Sequence, residues 1–205
     1  MPSLFSRSSL AALLLALAGA LALAGCGEKA KPAFVNTDIT GAKEFATDFS
    51  LLDPQGKTRT LADFKGKVVV MFFGYTHCPD VCPTTLAELR QVVDKLGPDG
   101  DKVQVLFVTV DPERDTAELL GKYVPTFHPS FLGLRPVDQA ALDALTKGFK
   151  EFYSKVPGTS GRNYTIDHTA ASYAFDPQGR LRLFIRHGQG VDPLVNDLKR
   201  LIAGD

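Results

Sequence analysis

The stretch GYTHCPDVCPTT, residues 74–85, places three residues between Cys78 and Cys82 and follows each with proline. Two thiols at this range either exchange electrons with a partner disulfide or hold a soft metal. Thiol–disulfide turns normally use two intervening residues. Three, with Pro79 stiffening the path, let both sulfurs face one space without being forced into contact. Such a pair is an anionic half-site suited to Cu(I), Zn(II) or an iron–sulfur fragment. Zinc and clusters normally take four protein ligands, and no second cysteine pair is present. A third ligand from imidazole would make a three-coordinate site congenial to copper in either oxidation state.

The elements around the pair follow from periodicity. FSLLDPQGKTRTL reads as a hairpin about the turn DPQG, and Lys67–Phe73 (KVVVMFF) as a strand buried on both faces. Thr84–Leu96 carries Leu86, Leu89, Val93 and Leu96 at helical spacing, stopped by Gly97-Pro98. Pro83 suits a first helical turn, so Cys82 is expected at a helix N-terminus, where free N–H groups and the dipole lower a thiol pKa. Val103–Val110 is a second buried strand. Helices are expected after the cap Asp115-Thr116 and over Asp138–Tyr153, strand runs over Tyr164–Phe175 and Leu181–Arg186, and a last helix over Pro193–Ile202. This order resembles an α/β thioredoxin-like fold with an N-terminal β-hairpin and an inserted helical segment. In that arrangement the residue opening the strand Ala170–Phe175 lies across from the cysteine turn. His168 holds that position, ahead of His77, His128 and His187. Asp80 lies inside the turn, Asp111 closes the second strand, and Asp167 could orient His168. Phe72, Phe73 and Phe149 read as core.

The N-terminus carries a lone Arg7 and then an Ala/Leu-rich run from Leu10 to Ala24, short for a membrane span and suited to a secretory signal. Leu23-Ala24-Gly25-Cys26 resembles a bacterial lipobox with Cys26 as lipid acceptor. We therefore expect a signal peptide over 1–25, a lipidated linker over 26–44 and one domain over 45–205. The protein is expected in the bacterial cell envelope, lipid-anchored and facing the periplasm. With Cys26 so committed, Cys78 and Cys82 are the thiols left to the fold, in a compartment that permits a disulfide. Lys+Arg and Asp+Glu balance at 23 each, which removes any electrostatic case for nucleic acid.

GYTHCPDVCPTTLAEL, VTVDPERDT and YTIDHTAASYAFDPQGRL together resemble the Sco/SenC family over essentially the whole of residues 45–203. The resemblance implies copper ligation by Cys78, Cys82 and His168. It implies a tethered protein that helps build the dinuclear copper centre of cytochrome c oxidase subunit II, delivering copper to it or to another cuproprotein, or reducing its cysteines. A thiol–disulfide oxidoreductase with Cys78 and Cys82 as a redox-active pair is the competing class; which of the two would attack a redox partner stays open. A peroxidase reading of Val81–Thr84 ranks last, since the position three before Cys82 is Pro79 and not a hydroxyl residue. The first two readings are compatible, because reduced thiols bind metal and a disulfide does not.

Overall fold

The computed structural model describes residues 33–158 and 164–205. The leader and Cys26 lie outside the described residues. Six strands form the main sheet: β1 (Thr37–Asp38), β4 (Val68–Gly74), β5 (Val103–Thr109), β6 (Leu132–Leu134), β9 (Ala171–Phe175) and β10 (Leu181–Arg186), in the order β1-β10-β9-β4-β5-β6. β4, β5 and β6 run parallel. Helices α1 (Val81–Leu96) and α2 (Ala117–Tyr123) make the crossovers. β9 and β10 form the expected hairpin, and β9 lies antiparallel to β4. The expected N-terminal hairpin is present as β2 (Leu51–Leu52) and β3 (Thr58–Arg59). Helix α3 (Gln139–Phe149) is the inserted segment, and α4 (Val191–Ala203) closes the chain against α1. The fold is the thioredoxin-like α/β arrangement.

All seven residues of β4 are buried, as its unbroken apolar run requires. Successive side chains leave a strand on opposite faces. Phe73 therefore stacks on Phe149 of α3 at 5.8 Å between ring centroids, while Phe72 meets Phe107 at 6.0 Å.

Four boundaries differ from the sequence expectation. α1 begins at Val81, so Cys82 lies inside its first turn. α3 stops at Phe149 because Lys150 takes a left-handed conformation, φ 58°. Tyr153, expected at the end of that helix, instead opens β7 (Tyr153–Pro157), which pairs with β8 (Tyr164–His168). The run Tyr164–Phe175 is thereby two strands, broken at Thr169-Ala170, where Thr169 N donates to Phe152 O at 3.0 Å. Finally, the folded unit reaches back to Ala33. Polar composition hid this because much of the attachment is polar: β1 pairs with β10, Asp197 of α4 accepts from Val35 N at 3.0 Å and from Asn36 N and Nδ2 at 2.8 Å each, and only Phe34 and Ile39 add apolar contacts. No described helix is long and apolar enough to cross a membrane.

Among the described residues, Glu151 is the one side chain with every buried polar atom unpaired. Glu151 is 7% exposed, and neither carboxyl oxygen has a hydrogen-bond partner. The nearby Tyr173 hydroxyl is committed to the Phe149 carbonyl. Burial pushes the Glu151 carboxyl up to about 8, with Tyr173 only partly offsetting it. An acid whose folded pKa lies above its unfolded one costs stability progressively as pH rises from the unfolded value through the folded one. Stability is thus expected to fall as pH rises from the ordinary carboxylate range to about 8. In Glu151→Gln that slope disappears, a difference on the order of 3 kcal/mol by pH 8. Urea unfolding of both proteins at pH 5 and pH 8 measures it; parallel pH profiles would contradict it.

Candidate metal centre

The cysteine loop leaves the carboxyl end of β4 and enters α1 within seven residues. Cys78 N closes a turn on Tyr75 O at 3.2 Å, and Asp80 is the last residue before the helix. Cys82 is fully buried, whereas Cys78 is half-buried; both are free thiols. His168 ends β8 and reaches across the loop. One donor atom from each of Cys78, Cys82 and His168 lies within 4.8 Å of the other two, and the separation of His168 Nε2 from Cys82 Sγ is 3.5 Å.

The imidazole is already set for ligation. Its Nδ1 lies 3.0 Å from the Thr169 carbonyl, which can only accept, so Nδ1 carries the proton and Nε2 turns its lone pair toward the sulfurs. Asp167, which the sequence offers as one residue that could orient the ring, contributes only its charge; the Thr169 carbonyl does the orienting. Burial holds the imidazole pKa below its ordinary value, against the smaller opposing effects of Thr169 and Asp167. The ring packs edge-on to Tyr75 at 6.0 Å and tilted on Phe72 at 6.3 Å.

The electrostatics of the two thiols reverse the sequence expectation. Cys82 was expected to gain from the helix N-terminus; instead burial pushes its thiol well up, with its hydrogen bond to Cys78 adding to the effect. The helix N–H reaches the other sulfur: Cys82 N donates to Cys78 Sγ at 3.4 Å. A buried thiolate at Cys82 therefore needs a cation beside it, which a bound metal supplies. Two soft sulfurs and one neutral imidazole suit copper, and no fourth ligand for a structural zinc site joins the group among the described residues.

The remaining histidines stand apart from this group. His77 is exposed and lies 3.1 Å from Thr76 Oγ1; His128 bonds Ser130 and His187 bonds Thr85. Asp80 is exposed, with only Thr84 Oγ1 at 3.4 Å. Asp111 is buried, ion-paired to Arg114 and bonded by the Tyr164 hydroxyl at 2.8 Å. Sequence reasoning missed Asp115. Thr116 caps α2, as expected of that pair, but Asp115 is fully buried. It accepts from Thr76 N at 3.0 Å, and from Thr76 Oγ1 and Thr109 Oγ1 at 2.6 Å each. It thereby fastens the root of the cysteine loop to β5. VTVDPERDT contains it, but a cap and a long-range anchor look alike in one dimension.

Beside the donors lies an open pocket of about 360 Å³, walled by Cys78, Pro79 and Asp80 on one side and by Thr165, Asp167 and His168 on the other. Cys78 forms part of its wall. Cys82 does not.

Comparison with known proteins follows this geometry. The SCO1/SenC family model matches residues 37–203. The mitochondrial SCO2 homolog of mouse (Mus musculus) is 41% identical over 158 residues, covering 76% of this chain and 62% of that protein. An SCO2-like protein of Rickettsia felis is 36% identical over 141 residues, 68% of this chain and 67% of its own. The chain thus spans about three-fifths of the mouse relative's length. Among solved structures, Bradyrhizobium japonicum ScoI with copper bound superposes with a TM-score of 0.69 at 40% identity, over 77% of this chain and 99% of that one.

The room for the buried sulfur comes from Gly74. A Cβ there would lie 3.0 Å from Cys82 Sγ, 2.8 Å from the Phe107 ring and 3.2 Å from the Phe72 ring. Gly74→Ala is expected to displace the sulfur and to destabilise the apo protein by about 1–3 kcal/mol through overpacking. Chemical denaturation checks this, and an unchanged midpoint would contradict the packing.

Proposed function

The chain belongs to the SCO1/SenC family, and from that premise we propose that it is a copper chaperone that carries one copper ion on Cys78, Cys82 and His168 for cytochrome c oxidase assembly. The observation that carries this reading is the convergence of two thiols and a neutral, pre-oriented imidazole within 4.8 Å. Copper is cargo. Its charge offsets the cost of an ionised Cys82, and loading releases the thiol protons, so affinity falls as pH falls. Unloading proceeds from the open side. Thiolates of the recipient approach through the pocket and replace Cys78, the half-buried ligand, before Cys82. The recipient in this reading is the dinuclear copper centre of oxidase subunit II, or another cuproprotein of the same soft-ligand chemistry. Lipid at Cys26, after removal of residues 1–25, would hold the domain at the periplasmic face of a bacterial envelope membrane.

One observation favours thiol–disulfide exchange as a second reading. Cys78 is accessible and receives the helix amide, which suits an attacking sulfur. Burial of Cys82 counts against it, because the resolving thiolate must form in the least solvated place in the site.

Anaerobic titration of the reduced protein with copper separates the two. The parent is expected to take one equivalent, and Cu(II) loading to give a thiolate charge-transfer band. In His168→Ala that band weakens or shifts and Cu(II) affinity drops at least tenfold, which corresponds to about 1.4 kcal/mol. Absence of stoichiometric copper on the parent would move Cys78 and Cys82 to the oxidoreductase reading.

A further inference from the structure

The donor set is carried by two elements of very different rigidity. Cys82 sits in the first turn of α1 against β4, with no exposed surface. His168 ends a two-stranded ladder, β7–β8, in which Ile166 is the one buried residue of ten. Such an element contributes little apolar surface to hold itself in place, so polar attachments must fix it. Tyr153, which pairs with His168 across the ladder, meets Asp143 and Gln139 of α3 with its Oη, and Lys155 pairs with Glu113 on the surface. At the other end, where Tyr164 pairs with Pro157, and along β8 at Ile166, the attachments converge on Tyr164, Tyr75 and Arg114.

Arg114 is the common member of that group. Its guanidinium pairs with the buried Asp111, donates from Nη1 to the Tyr164 carbonyl at 2.9 Å and lies 3.5 Å above the Tyr164 ring. The Tyr164 hydroxyl returns to Asp111 at 2.8 Å, closing the loop of contacts. Arg114 also lies 5.8 Å from the Tyr75 ring. Tyr75 accepts from Ile166 N at 3.1 Å and stands edge-on to His168. One residue further on, Asp115 grips Thr76. The segment Asp111–Asp115 is therefore a bracket with the cysteine loop on one arm and the histidine hairpin on the other.

We propose that Arg114 is the positioning residue that keeps His168 within reach of the two sulfurs, and that it thereby sets the preference of the site for Cu(II) over Cu(I). This rests on the reading that the cluster binds copper. Cu(I) is satisfied by two soft thiolates, whereas Cu(II) gains more from an added imidazole nitrogen. Loosening the hairpin removes a ligand that one oxidation state needs and the other can do without. A planar fork that both stacks and donates is specific to arginine, so lysine is a poor replacement.

The test compares Cu(I) affinity, by anaerobic chelator competition, with Cu(II) affinity and the thiolate charge-transfer band. The proteins are the parent, Arg114→Lys and Arg114→Ala, each with and without His168→Ala. Both Arg114 variants are expected to bind Cu(II) at least tenfold more weakly and Cu(I) within about twofold of the parent, with the band moving toward that of His168→Ala. In the His168→Ala background, changing Arg114 should alter neither affinity. Where Arg114→Ala does not fold, Tyr164→Phe, which keeps the ring and loses the bond to Asp111, should show the same selective loss. Equal weakening of both oxidation states, no weakening of either, or a loss that persists without His168 each overturns the proposal. A parent that binds neither state overturns the copper reading, and this inference with it.

Discussion

The sulfur of Cys82 is buried without solvent at the junction of β4 and α1, and most of the site follows from keeping it there. The position requires Gly74 beneath it, because any side chain would meet the sulfur and the rings of Phe72 and Phe107. It requires β4 to be covered on both faces, which α3 accomplishes on the Phe73 side and α1 and α4 on the Phe72 side. It also makes an isolated thiolate at Cys82 costly, so that thiol keeps its proton until a cation arrives. A surface cysteine pair would be open to any oxidant. Here one sulfur is withheld and the other, Cys78, is presented at the pocket.

The asymmetry between the sulfurs extends to the third donor. Cys78 and Cys82 share one short loop whose root is fixed to β5 through Asp115 and Thr76. His168 comes from an element 86 residues away that has almost no core of its own. In the proposed chaperone reading, a stable half-site of two thiols and a separately tethered imidazole lets one ligand give way first when the cargo is released.

Much of this was legible in one dimension. The runs KVVVMFF and VQVLFVTV announce buried parallel strands, DPQG marks the β2–β3 and β9–β10 hairpins, and Cys-Pro-Asp-Val-Cys with a distant Asp-His-Thr points to the three side chains that the fold brings together. What escaped the sequence depends on depth or on distant partners. The burial of Cys82 is set by Phe72, Phe107 and Gly74, so its proton affinity could not be read from helix position alone. β7 carries no alternation, its residues being exposed save for the half-buried Tyr153, and α3 stops at a left-handed lysine where glycine would have signalled the end. Asp115 precedes a helix like an ordinary cap, and only the fold brings Thr76 to it across 39 residues.

The central claim is that two sulfurs and one imidazole nitrogen together hold copper. X-ray absorption at the copper edge of the loaded, full-length protein tests it directly. The account predicts a first shell of two sulfur scatterers and one nitrogen, with the outer-shell pattern of an imidazole. A shell of sulfur alone in both oxidation states, or of oxygen and nitrogen without sulfur, would contradict it.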